Sequence, residues 1–221
     1  MDVGLFLICG FTAAYDSLFS SLLLRLQTNI EILSEAIRTV RERTLEKFNV
    51  PEDCIVFQDE NGSSLECELY NEIKKCNLHL LFLLRICEEL EEMFTFTTLL
   101  AMLTGTIAIA SNLFIVSKMS VADPEFLSLA EYIIALLIQF SMMCYYGSRV
   151  TEACFSFRGS LYECEWYKCS KRFKTCILIM MMRMDKPIYL TAAKFFPLKL
   201  STIISVLKGS YSYAAMYRTV G

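Results

Sequence analysis

The stretch Leu190-Thr191-Ala192-Ala193-Lys194-Phe195-Phe196-Pro197-Leu198, followed by Ser210-Tyr211-Ser212-Tyr213 near the end, decides how this chain is read. The segment around it, residues 188–217, is long enough to cross a bilayer, which takes about 20 residues of helix. It is too polar to meet lipid on every side, because polar side chains within a membrane face a bundle interior or a water-filled cavity. The expectation is a spanning helix that lines a wet path. Along it Thr202, Ser205, Gly209, Ser212 and Met216 recur at alternating steps of three and four, so they share one face. Such a face suits a pore wall with a hydrophobic constriction at Met216 that gates by dewetting. Small residues at this spacing equally permit close helix packing, and the spacing alone leaves both readings open.

The rest of the composition agrees with a membrane protein. The chain has 221 residues, of which 55% are hydrophobic and 20% charged, with a mean hydropathy of +0.43, above the range of an ordinary soluble domain. A net charge of −3 and the lack of any basic block interleaved with aromatics exclude a nucleic-acid partner; lipid and other helices are the expected partners. The ten cysteines are scattered through apolar segments and charged links, which reads as reduced structural thiols. Cys154, Cys164, Cys169 and the lone His79 lack paired Cys-x-x-Cys spacing, so no metal and no cofactor are expected. Nor does any nucleophile–base constellation or phosphate loop point to an enzyme.

The expected fold is all-α, a single polytopic membrane domain over 1–221, with spans at about 3–26, 94–116, 126–147 and 188–217. Amphipathic extensions are expected at about 28–48, 73–92 and 156–173. In the first, Ile30, Leu33, Ile37 and Val40 keep a helical stripe while Glu31, Glu35, Arg38, Arg41, Glu42 and Arg43 cover the other faces. In the second, Ile73, Leu80, Leu84, Cys87 and Leu90 do the same beside Glu88, Glu89, Glu91 and Glu92. From Asn49-Val50-Pro51 to about Glu72 the periodicity gives way to turn residues, and a loop is expected. Asp123-Pro124-Glu125 marks a sharp turn between two antiparallel spans. Bare apolar stripes are not tolerated in water, so the extensions should pack together.

Lysine and arginine set the orientation. The first link holds Arg25, Arg38, Arg41, Arg43, Lys47, Lys74, Lys75 and Arg85, the third holds Arg149, Arg158, Lys168, Lys171, Arg172 and Lys174, and the hairpin turn holds Lys118. The basic links are therefore expected in the cytoplasm and the C-terminus outside. Asn61-Gly62-Ser63 fits the N-glycosylation pattern, and its use would invert that assignment.

Tyr146-Gly147, Ser160-Leu161-Tyr162, Trp166-Tyr167, Lys171-Arg172-Phe173, Met181-Met182-Arg183, Lys186-Pro187, Leu190-Thr191-Ala192, Phe195-Phe196-Pro197-Leu198 and Ser210-Tyr211-Ser212-Tyr213 form an ordered series. That series resembles the C-terminal signature of insect odorant receptors. Residues 1–145 resemble the family in hydropathy and layout. The resemblance implies a seven-span plasma-membrane receptor of olfactory sensory transduction. It would work as an odorant-gated, non-selective cation channel in a heterotetramer with an odorant co-receptor. The four expected spans would correspond to the family's fourth to seventh, so the chain is expected to be partial. A truncated, non-conducting protein that assembles with or competes against intact subunits is the alternative.

The resemblance also aligns Met216 with the family's narrowest pore ring and makes Trp166 and Tyr167 candidate anchors between subunits, although packing within the one chain would account for that region equally. For a small volatile ligand, Tyr132 is the candidate contact, with a ring to stack and a hydroxyl to bond, although ordinary helix packing would use it equally well. Glu131, an acid in the same span, is a second candidate or an interfacial residue. Two departures from the family pattern stand out: Lys199 with Ser201 after the Phe-Pro-Leu element, and Ala214-Ala215 where a bulky aromatic is common. Lys199 is expected to snorkel to the cytoplasmic interface.

Overall fold

The computed structural model describes residues 2–51, 64–119, 124–185, 191–192, 196–197 and 200–220. Asn61, Lys186-Pro187 and Lys199 lie outside them. The described chain is all-α apart from one minimal strand pair. The helices are α1 (Asp2–Arg38), α2 (Val40–Lys47), α3 (Ser64–Val116), α4 (Pro124–Glu163), α5 (Lys171–Met184) and α6 (Leu200–Val220). At 1.5 Å per residue the 53 residues of α3 extend about 80 Å, far more than the ~30 Å hydrocarbon core of a bilayer. Such a helix has to continue into water, and its sequence changes character accordingly, from Phe94 onward apolar and before it edged with glutamates. Among the described residues, α3 and α4 each carry a stretch long and apolar enough to cross a membrane.

Four expectations on local structure are corrected. The loop expected up to about Glu72 is helical from Ser64, because Leu69 continues the buried stripe of Ile73, Cys76 and Leu80 backward by one turn. The extension expected at 28–48 is interrupted at Thr39, where ψ is 3°, although Thr39 N still donates to Glu35 O at 3.1 Å and Arg43 N to Thr39 O at 3.0 Å. The helix expected at 156–173 is broken: α4 stops at Glu163, a 3-10 turn covers Trp166–Lys168, and α5 starts after Ser170. Ser170 is the cap, its hydroxyl accepting from Phe173 N at 3.4 Å and so satisfying one of the free amides of a helix start. The closing helix begins at Leu200 rather than 188; before it Thr191–Ala192 (β1) pairs antiparallel with Phe196–Pro197 (β2). The 21 residues of α6 still give a length of about 31 Å.

The single domain expected over 1–221 resolves into two compact units. The apolar unit comprises Met1–Leu23, Leu90–Ser148 and Tyr189–Gly221; the charged unit comprises Leu24–Glu89 and Arg149–Ile188. The division falls where the basic links begin and end.

In the charged unit the buried positions follow a seven-residue rhythm: Leu26, Ile30, Leu33, Ile37 and Val40 on α1 and α2, Leu69, Ile73, Cys76, Leu80, Leu83 and Cys87 on α3. Facing helices with this rhythm interlock side chains as coiled coils do. Phe157 and Leu161 of α4 and Phe173, Ile177, Met180 and Met184 of α5 complete the core. The expected stripes of both extensions are thus buried within this one chain. α1 and α4 run parallel here, since Glu31 meets Arg149, Ser34 Oγ lies 2.7 Å from Ser160 Oγ, and Arg38 meets Glu163. The end of α2 is built locally: Val50 N donates to Leu45 O and Asn49 N to Glu46 O, with Asn49 at φ 51°. That is a Schellman-type end, and Asn is among the few residues that take a positive φ readily.

In the apolar unit α1 and α3 run antiparallel, with Tyr15 against Phe94 and Thr98, and Phe19 against Phe94 at 5.0 Å between ring centroids. α3 and α4 approach closely at Gly105, where an added Cβ would sit 2.2 Å from Phe140 Cζ. Only glycine leaves room for that ring. Gln139 Nε2 of α4 donates to Asp16 Oδ2 of α1 at 2.6 Å, giving the acid in this apolar stretch a partner.

Candidate functional site

The five residues proposed for a pore wall all lie on α6, and the structure sets them in differing surroundings. Thr202 at the helix start is buried, 7% exposed, whereas Ser205 and Ser212 are exposed and Gly209 is intermediate. Ser205 Oγ also reaches back to Ser201 O at 3.4 Å, a way for a hydroxyl in a helix to stay satisfied without a neighbouring helix. Met216 is 54% exposed toward the other end of α6. Ile204, Leu207, Lys208 and Tyr211 are exposed as well, so α6 is only lightly covered by the described residues of its own chain. A helix so uncovered is suited to pairing with further helices or to facing a path shared between subunits. Ala215, one of the two departures from the family pattern, is likewise exposed one residue before Met216.

Tyr132 stands on α4 with 49% of its surface open, and Glu131 beside it is exposed. Near the turn after α3, Lys118 Nζ sits 4.2 Å over the Phe114 ring, a cation held against an aromatic face. Trp166 and Tyr167 fall on the 3-10 turn between α4 and α5; Trp166 is half-buried and Tyr167 57% exposed. Further apolar side chains stay exposed on the charged unit, among them Leu78, Phe82, Ile179 and Met182. Internal packing therefore uses one face of each extension and leaves another exposed.

Sequence reasoning missed Arg41. It is 3% exposed, a buried guanidinium in a helical core, and its Nη1 donates to Glu165 Oε2 at 2.7 Å. The signal was legible: Arg41 stands four residues after Ile37, on the buried stripe rather than the wet face. Around it lie Cys164 and Cys169, buried thiols that burial pushes up to about 12 and about 11. Lys168 beside Glu165, together with Arg41, holds the Glu165 carboxyl below the usual carboxylate range. Among the described residues no group of three or more His, Cys, Asp and Glu is arranged to hold a metal ion.

The family model for the 7tm odorant receptor matches residues 3–211. Odorant receptor 42b of Drosophila melanogaster is 27% identical over 192 residues, 85% of this chain and 42% of its own length. Odorant receptor 67c of the same fly is 28% identical over 136 residues, covering 62% of this chain and 33% of its own. The odorant receptor coreceptor of Aedes albopictus is 26% identical over 176 residues, 76% of this chain and 37% of that protein. The solved structure of the olfactory receptor OR5 from Machilis hrabei, in complex with eugenol, superposes with a TM-score of 0.68 at 14% identity, over 94% of this chain and 48% of that one. That likeness establishes the fold. The chain thus spans between a third and about half of the length of these four proteins. With the family model covering nearly its whole length, the chain belongs to the seven-transmembrane odorant receptor family, a family of receptors and not of enzymes.

Proposed function

We propose that this chain serves in an odorant receptor subunit, an odorant-gated, non-selective cation channel of the plasma membrane that assembles with an odorant co-receptor in a heterotetramer. The match of the family model across residues 3–211 carries the reading, and the sparse cover of α6 supports it. Ser205, Gly209 and Ser212 supply the wetted wall, Thr202 sets the buried foot of the helix, and Met216 forms the hydrophobic constriction. Tyr132 meets a small volatile ligand from the α4 side. The charged unit lies in the cytoplasm, as its arginines and lysines require, and Trp166 and Tyr167 anchor it to neighbouring subunits. The C-terminus is then extracellular.

Coexpression of the chain, within its full transcript, with a co-receptor tests this by whole-cell recording over an odorant panel. Odorant-evoked cation current that Met216→Ser turns into a standing leak is the expected result. Surface protein with no evoked current at any odorant overturns the channel reading. The coverage of half or less of each relative favours one second reading, a non-conducting subunit that only assembles with or competes against intact ones. Co-purification with the co-receptor together with suppressed current from intact subunits would establish that instead.

A further inference from the structure

The turn that joins α4 to α5 contains a backbone feature that local chemistry does not favour. Glu165 has φ 49° and ψ 32°, the left-handed region, where a Cβ crowds the following carbonyl. Asn49 at the end of α2 takes the same region, but asparagine tolerates it and the Schellman-type bonds close around it. Glutamate has no such tolerance, so contacts of its side chain hold Glu165 there. Two cations do. Arg41 Nη1 reaches Glu165 Oε2 at 2.7 Å from α2, and Lys168 Nζ lies 3.0 Å from both carboxylate oxygens across the turn. The Lys168 contact is local and exposed to water on one side; the Arg41 contact comes from a side chain 124 residues away and almost wholly buried.

A guanidinium in that position is expensive unless an anion meets it. The bend brings the Glu165 carboxylate to that guanidinium. The bend in turn closes through Lys168 N to Glu165 O and Cys169 N to Trp166 O, and Ser170 then caps α5. Both buried thiols, Cys164 and Cys169, pack at the two ends of the same bend.

We propose that Arg41 is a positioning residue: its buried guanidinium draws Glu165 into the left-handed conformation and thereby sets the direction in which α5 leaves α4.

Hydrogen exchange of the full chain in nanodiscs reads the joint through the amides of Lys168, Cys169 and Lys174. Arg41→Met, of similar length and neutral, is expected to speed exchange across residues 164–174 by roughly tenfold or more. Arg41→Lys, which keeps the charge, should stay within about threefold of the parent. Glu165→Gly removes the charge but frees the backbone, so it should fall between the parent and Glu165→Ala. Exchange in Arg41→Met within about twofold of the parent, or Arg41→Lys as fast as Arg41→Met, overturns the assignment. Should Arg41→Met fail to fold, Glu165→Ala decides: faster exchange confined to the joint supports the proposal, and parental protection overturns it.

Discussion

The two units of this molecule are held together by different means. The charged unit is built like a soluble helical domain, with Phe157, Phe173, Ile37 and Ile177 sealed in its core and ion pairs such as Arg38–Glu163, Lys47–Glu68 and Arg183–Glu88 around it. In the apolar unit the telling contacts are a glycine under a phenylalanine ring, Gly105 with Phe140, and polar pairs between helices, Asp16 with Gln139 and Tyr15 with Thr98. Its outer surface carries Phe96, Ile107, Leu127 and Ile138. Water drives apolar side chains together, but lipid does not, so helices that meet in lipid rely on close fit and interhelical hydrogen bonds. The difference teaches that one helix, such as α3, changes its means of cohesion along its length.

The largest contrast lies in thiol chemistry. Cys164 and Cys169 are buried and pushed up to about 12 and about 11, while Cys67 on α3 is exposed. At neutral pH, maleimide labelling of native protein should modify Cys67 at least roughly a hundredfold faster than either buried thiol. Equal rates would show that the core of the charged unit is not sealed. The sign of the pH dependence follows: the fold favours the neutral thiols, so their stabilisation is complete below the ordinary value of 9.0 and is lost as pH rises through 11 to 12.

Next in size, Phe157→Ala should destabilise the charged unit by about 3–5 kcal/mol, read from the exchange of its slowest amides. A loss below about 1 kcal/mol would deny this unit its soluble-like core. Gly105→Leu drives a side chain into Phe140 and should cost the apolar unit about 1–3 kcal/mol in a thermal melt in detergent. Combining it with Phe140→Ala should recover most of that loss; no recovery would place the cost elsewhere. Gln139→Leu removes the partner of Asp16 and should cost about 0.6–2 kcal/mol, with Asp16→Asn closer to the parent. At the small end, Arg38→Ala breaks an exposed ion pair and should change stability by less than about 1 kcal/mol, an effect that salt abolishes. A larger loss there than at Gln139 would reverse the comparison.

Much of this was legible in the chain itself. The stripes of Ile30, Leu33, Ile37 and Val40 and of Ile73, Leu80, Leu84, Cys87 and Leu90 are buried as their spacing requires, because helical periodicity alone selects which face meets a core. The boundaries were less legible: Thr39 interrupts a helix whose stripe runs straight through it, and β1 and β2 precede α6 where a continuous helix had been expected. Periodicity reports which face is apolar and says little about a break that leaves the face intact.

For the candidate site, the sequence placed Thr202, Ser205, Gly209, Ser212 and Met216 on one face of one helix, since that depends only on residues a turn apart. It did not disclose that Thr202 is covered while Met216 is open, which depends on what packs against α6. The pairings of Asp16 with Gln139 and of Arg41 with Glu165 likewise join residues 123 and 124 positions apart. Sequence by itself determined the helical class, the buried stripes and the alternation of apolar and basic segments, because these follow from short-range geometry and the solvent each segment prefers. Tertiary structure alone decided the break after Glu163 and the conformation of Glu165, because there a distant buried charge outweighs the local preference of the backbone.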